Sequence, residues 1–183
     1  MRTFAAVCLV GAGLLSAVSA APQEGSPAPV RRVTTDHLQI ATYATQAAVS
    51  PGSAFEIVFD IKPRERMHVY APGAEGYRII TLTLQPQPWL TLESLQYPAS
   101  EIYLFEPLNE RVPVFQKPFR LTQPVQVSAA PEHRKTLAIL STITITGRLD
   151  YQACDDRICF APKSVPVSYV IRLRPPGGNA AGA

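Results

Sequence analysis

In AFEIVFDIK (residues 54–62), Phe55, Ile57, Phe59 and Ile61 alternate with Glu56, Val58, Asp60 and Lys62. A period of two sends successive side chains to opposite faces, so this run predicts a half-buried strand. TLAILSTITIT repeats the pattern, with Leu137, Ile139, Ser141, Ile143 and Ile145 on one face and Thr142, Thr144 and Thr146 on the other. SVPVSYVIRL places Val165, Val167, Tyr169, Ile171 and Leu173 together. Residues 37–44, 67–71, 78–84, 90–96 and 121–128 predict further strands, about eight in all, separated by turns such as SPGS, APGAEG and QPQP. No segment sustains a period of 3.6, so no helix is expected. The expected product is an all-β chain, an antiparallel β-sandwich that buries alternate residues of two facing sheets.

The ends of the chain break this pattern. MRTFAAVCLVGAGLLSAVSA (residues 1–20) has a basic start, an apolar centre and a small-residue Val18-Ser19-Ala20 site, the marks of a secretory signal peptide. Residues 21–34, beginning APQEGSPAPVRR, read as a flexible leader, and residues 175–183 (PPGGNAAGA) as a disordered tail. One domain is expected over residues 35–174. Signal cleavage would remove Arg2, leaving 16 basic against 14 acidic residues. That balance predicts neither nucleic-acid binding nor a polybasic membrane contact. No other segment is apolar enough to span a bilayer. The mature protein is expected to be exported, periplasmic or secreted, and not membrane-spanning.

Cleavage also removes Cys8 and leaves Cys154 and Cys159, in LDYQACDDRICFAP, as the only cysteines. Three chemistries are open to them. A structural staple closing so short a loop contributes only about 2 kcal/mol, which a sandwich of this size does not require. A metal site would need ligands beyond the pair. Only His37, His68 and His133 are on offer, none of them near it in sequence, and neither metal nor other cofactor is expected. A redox pair needs two sulfurs that meet when the turn bends back and a partner to exchange with. Asp155 and Asp156 should disfavour a thiolate on Cys154 by repulsion, while Arg157 pulls the other way. As a redox pair this would be a guarded dithiol that a docked partner must open; the alternative is a non-catalytic immunoglobulin-like binding or scaffold module in which the bridge is structural.

GRLDYQACDDRICFAPKSVPV closely resembles the cysteine segment of the amino-terminal periplasmic domain of DsbD, the thiol:disulfide interchange protein, and of related stand-alone disulfide bond corrector domains. MHVYAPG is similar to a family strand that carries aromatic residues beside the cysteines. YPASEIYLFEPLNERVPVF falls where the family has its cap loop and the strand after it. The resemblance covers residues 35–174 and implies an immunoglobulin-like sandwich with the cysteines on a hairpin near one end. It implies a disulfide between Cys154 and Cys159, with Cys159 forming mixed disulfides and Cys154 resolving them. Electrons would come from a thioredoxin-like protein fed by a membrane-embedded reductase, and pass to periplasmic disulfide proteins such as isomerases and cytochrome c maturation factors. Phe105 is the candidate cap, with Tyr70 and His68 the platform beside the sulfurs and Phe160 and Asp155 flanking them. Three positions depart from the family pattern: Phe160 and His68 stand where tyrosines are common, and Ala161-Pro162 replaces a proline pair. The sequence carries no transmembrane or thioredoxin-like region, so a separate membrane partner is expected to supply reducing power.

Overall fold

The computed structural model describes residues 25–105 and 109–174. The expected signal peptide, the first residues of the leader and the expected tail lie outside them. One sheet orders β1 (Arg31–Thr34), β2 (Leu38–Ala44), β4 (Ala54–Pro63), β10 (Phe119–Val127) and β7 (Leu90–Leu92), every pair antiparallel. A second orders β3 (Ala48–Val49), β13 (Lys163–Leu173), β11 (Thr142–Tyr151) and β6 (Thr81–Leu84). Its pairs are antiparallel except β3 with β13. The alternating residues merge into one core: Phe55, Ile57, Phe59 and Ile61 of β4 pack in the same cluster as Ile143, Ile145 and Leu149 of β11 and Val165, Val167, Tyr169, Ile171 and Leu173 of β13. Burial of each such side chain contributes ~1.5–3 kcal/mol. Tyr169 reaches across this core to place its hydroxyl 2.5 Å from Thr42 Oγ1, so its polar end is satisfied. The chain is an all-β, immunoglobulin-like sandwich.

A third, smaller sheet, β12 (Ala153–Cys154), β5 (His68–Tyr70), β9 (Glu110–Phe115) and β8 (Glu101–Phe105), carries the cysteine segment. Its connection to the sandwich is a register slip. Tyr151 pairs with Lys163, but Ala153 receives a backbone hydrogen bond from Phe160. Ala161 and Pro162 therefore stand opposite the single Gln152. Pro162 has no N–H to donate, so the ladder tolerates it at such a bulge. The slip bends the tip of the β11–β13 hairpin out of its own sheet, and β12 pairs with β5 instead.

Three expectations need correction. Leu137 and Ile139 do not continue the strand; they lie in a helix, α1 (Pro131–Ile139). Pro131 sits in its first turn and only Leu137 is buried, so nine residues with one core contact leave no helical period to detect. Ile139 is 84% exposed. Arg31–Thr34, expected in the flexible leader, is instead the edge strand β1, because its backbone pairs with β2 whatever its side chains are. The strands expected over residues 78–84 and 90–96 shorten to Thr81–Leu84 and Leu90–Leu92, and β8 was not expected as a strand at all.

Gly147 lies where β11 meets β6, and a Cβ there would collide with the Thr83 carbonyl oxygen and the Leu84 side chain. Backbone atoms cannot give way as a flexible side chain can. Gly147→Ala is expected to cost about 1–3 kcal/mol, read as a lower melting temperature by circular dichroism with the disulfide intact.

Candidate redox site

Cys154 and Cys159 face each other as an antiparallel bridge with Cα atoms 4.0 Å apart, and they form a disulfide. The pair falls between the Ala153–Phe160 bond and the Asp155 N–H bond to Ile158 O (3.0 Å), the close, non-hydrogen-bonded position of an antiparallel ladder. The turn is held by Asp155, whose Oδ1 accepts the Arg157 and Ile158 N–H groups at 2.7 and 2.8 Å. Those two amides hold the Asp155 carboxyl below the usual range. Asp156 pairs with Arg66, at 2.7 and 2.9 Å, which lowers its pKa likewise. Arg66 adopts φ 65°, a left-handed conformation uncommon outside glycine. The two acids are thus each held by a local partner, which reduces the bare repulsion on Cys154 that their sequence position suggested.

The sulfurs differ sharply in access. Cys154 is 1% exposed and packs with Tyr70, Val112 and Val114, whereas Cys159 is exposed. The Tyr70 hydroxyl donates to both, 3.1 Å from Cys154 Sγ and 3.3 Å from Cys159 Sγ. Because disulfide sulfurs carry no hydrogen, the tyrosine must be the donor. Burial pushes its pKa up, so it keeps its proton. Its ring stacks on Tyr77 at 4.1 Å, and the Tyr77 hydroxyl donates to Glu110 Oε2 at 2.7 Å. His68 pairs directly with Cys154 across the strands and lies against Tyr103, ring centroids 4.5 Å apart. His68, Tyr70, Tyr77 and Tyr103, with Phe105, Asp155, Arg157 and Ile158, line a cleft of about 60 Å³ beside the disulfide. Small-molecule sites take several hundred cubic ångströms, and this cleft is far smaller.

Of the candidates named from sequence, Tyr70, His68, Phe105 and Asp155 converge on the cysteines. Phe160 does not join them in the cleft. Successive residues of an extended chain point to opposite faces, so its ring packs on His37, at 4.5 Å, behind the hairpin. Tyr103, Tyr77, Glu110 and Arg66 were missed. Tyr103 had a signal, since it shares a strand face with Phe105 two residues on. Tyr77 had none, because its place depends on how the APGAEG turn folds back. Among the described residues no group of three or more metal-ligating side chains occurs, and no helix is long and apolar enough to cross a membrane.

An exposed sulfur bonded to a buried one, under a single tyrosine hydroxyl, supports a thiol–disulfide exchange domain. The chain belongs to the family of the N-terminal domain of the thiol:disulfide interchange protein DsbD, whose model matches residues 36–169. Two crystal structures are similar to it. The N-terminal periplasmic domain of ScsB from Proteus mirabilis aligns with TM-score 0.49 and 11% identity over 82% of this chain. The chain spans only 52% of that one. The Neisseria meningitidis DsbD N-terminal domain in the reduced form aligns with TM-score 0.43 and 14% identity, covering 69% of this chain and 82% of that one. No curated protein matches.

Once the disulfide is reduced, the Tyr70 hydroxyl is placed to stabilise a thiolate. A hydrogen bond to a charged group contributes about 1.5–3 kcal/mol, so Tyr70→Phe is expected to move the pH profile of Cys159 alkylation upward by about one to two units. Rates of iodoacetamide modification between pH 6 and 11 would show it. An unmoved profile would mean that the hydroxyl serves packing alone.

Proposed function

We propose that this protein is an exported electron relay that reduces disulfides of periplasmic proteins through the Cys154/Cys159 pair. The thiolate of Cys159 attacks a client disulfide, forming a Cys159–client bond and releasing the first client thiolate. Cys154 then attacks Cys159 Sγ, re-forming the Cys154–Cys159 disulfide and releasing the second client thiolate. The client gains two electrons and the domain loses two. A thioredoxin-like protein or membrane-embedded thiol reductase restores the dithiol by the reverse exchange. The observation that carries this reading is the contrast in access, with Cys159 exposed and Cys154 1% exposed. An incoming disulfide meets Cys159 first, and only a sulfur already inside can resolve the product. Phe105, half-buried at the cleft, shields the pair until a partner docks.

Trapping tests it. Cys154→Ala is expected to hold a client covalently through Cys159, visible as a higher band on non-reducing gels that vanishes with reductant, while Cys159→Ala traps nothing. Trapping by Cys159→Ala alone would reverse the two roles. Trapping by neither would leave the bridge a structural one in a binding module.

A further inference from the structure

The resolving step has a proton to place. Burial in an apolar cluster favours a neutral thiol over a thiolate, so Cys154 begins that step protonated, and it must lose the proton to attack. Water has poor access to a sulfur that is 1% exposed. The groups around it are few. Tyr70, on β5, already carries a proton that burial retains, and it donates toward the sulfurs. Tyr103 of β8 and Tyr77 bring hydroxyls, not bases, and Glu110 is engaged by Tyr77. Asp155, in the hairpin turn, has its Oδ1 engaged by two backbone N–H groups, and Arg157 beside it is cationic.

His68 remains. It is the cross-strand neighbour of Cys154, on the same strand face as Tyr70, and both line the one cleft. Side chains directly opposite in an antiparallel pair stand about 4.5–5.5 Å apart at Cβ. Resting on the exchange function proposed above, we propose that His68 accepts the Cys154 thiol proton as Cys154 attacks the mixed disulfide. The proton moves from Cys154 Sγ to the imidazole while the Cys154–Cys159 bond forms and the Cys159–client bond breaks. The resulting imidazolium then protonates the departing client thiolate, so no external acid or base is consumed. His68 is only 4% exposed, and burial holds its pKa below the ordinary histidine value against a raising influence from Asp155. At neutral pH the imidazole is therefore free to take a proton, and it is lost as an acceptor only when the pH falls below its pKa.

A small aromatic disulfide separates the two steps without a natural client. Reduced protein mixed with dithiobis(nitrobenzoate) releases one thionitrobenzoate as the Cys159 mixed disulfide forms and a second as Cys154 resolves it. With His68 as acceptor, the second phase in the wild type holds a plateau between the histidine and thiol titrations. In His68→Gln and in His68→Phe, which keeps a ring against Tyr103, it should be at least tenfold slower at pH 7. It should also climb about tenfold per pH unit with no plateau, and the second phase should fall relative to the first by at least tenfold at pH 7. Circular dichroism establishes that each variant is folded. A second phase with the wild-type rate and profile in either variant would overturn the role of His68 and leave exchange intact. If neither variant folds, the wild type decides, because a second phase without a plateau also overturns it. Failure of the reduced wild type to release even the first equivalent would overturn the exchange function, and the His68 assignment with it.

Discussion

Ala161 and Pro162, standing opposite Gln152, put one extra residue into one arm of the β11–β13 hairpin, and the strands cannot stay in register past it. Below the slip, β11 and β13 are two inner strands of the sandwich, fixed by the Ile143, Ile145, Val167 and Ile171 side chains they bury. Above it, the same hairpin belongs to another sheet and pairs through Ala153 and Cys154 with Val69 and His68. A hairpin without the slip would have kept its tip in line with the sandwich, away from β5. With it, Cys154 comes to lie under the Tyr70 hydroxyl, and Cys159, on the outer arm, stays in solvent. Gln152 steadies the slip by donating to the Phe160 carbonyl at 3.2 Å.

The turn beyond the cysteines is rigid for a different reason. Asp155 accepts two backbone N–H groups, and Asp156 is tied to Arg66 on the neighbouring loop. Both carboxylates act on geometry at least as much as on charge. The Arg66–Asp156 pair is well exposed on both sides and contributes little to global stability. Its effect is local: it joins the cysteine turn to the loop that precedes β5, so the two strands carrying Cys154 and Tyr70 are linked beyond their short ladder.

Beside the sulfurs the surface is apolar and shallow. Ile158, at the hairpin tip, is 57% exposed, and Phe105 and Tyr103 stand across the cleft from it. A cleft of about 60 Å³ with such walls offers little to a metabolite. Under the proposed function, that small volume keeps other thiols from the pair and makes docking the condition for exchange.

The alternation in residues 54–62 and 164–173 was enough to identify the two central strands of the sandwich, because a two-residue period with one apolar face has a single low-energy use. The cysteine segment, with the aromatic strand MHVYAPG, was likewise enough to locate the cysteine pair and three of its neighbours, Asp155, His68 and Tyr70, while Phe105 came from the segment YPASEIYLFEPLNERVPVF. Helix α1 stayed hidden because one buried leucine makes no period, and β1 because an edge strand is selected by backbone pairing rather than by its side chains. The stacking of Tyr77 on Tyr70, the reach of Arg66 to Asp156 and the turning of Phe160 toward His37 are contacts between segments far apart in the chain. Only the folded chain decides those, since each depends on a turn or a register slip whose direction no local pattern encodes. Two cysteines five positions apart between alternating runs, read with the family resemblance, were enough to expect a bridge on a sandwich hairpin; which sulfur faces water and which lies beside a histidine follows from the register slip, which only long-range pairing fixes.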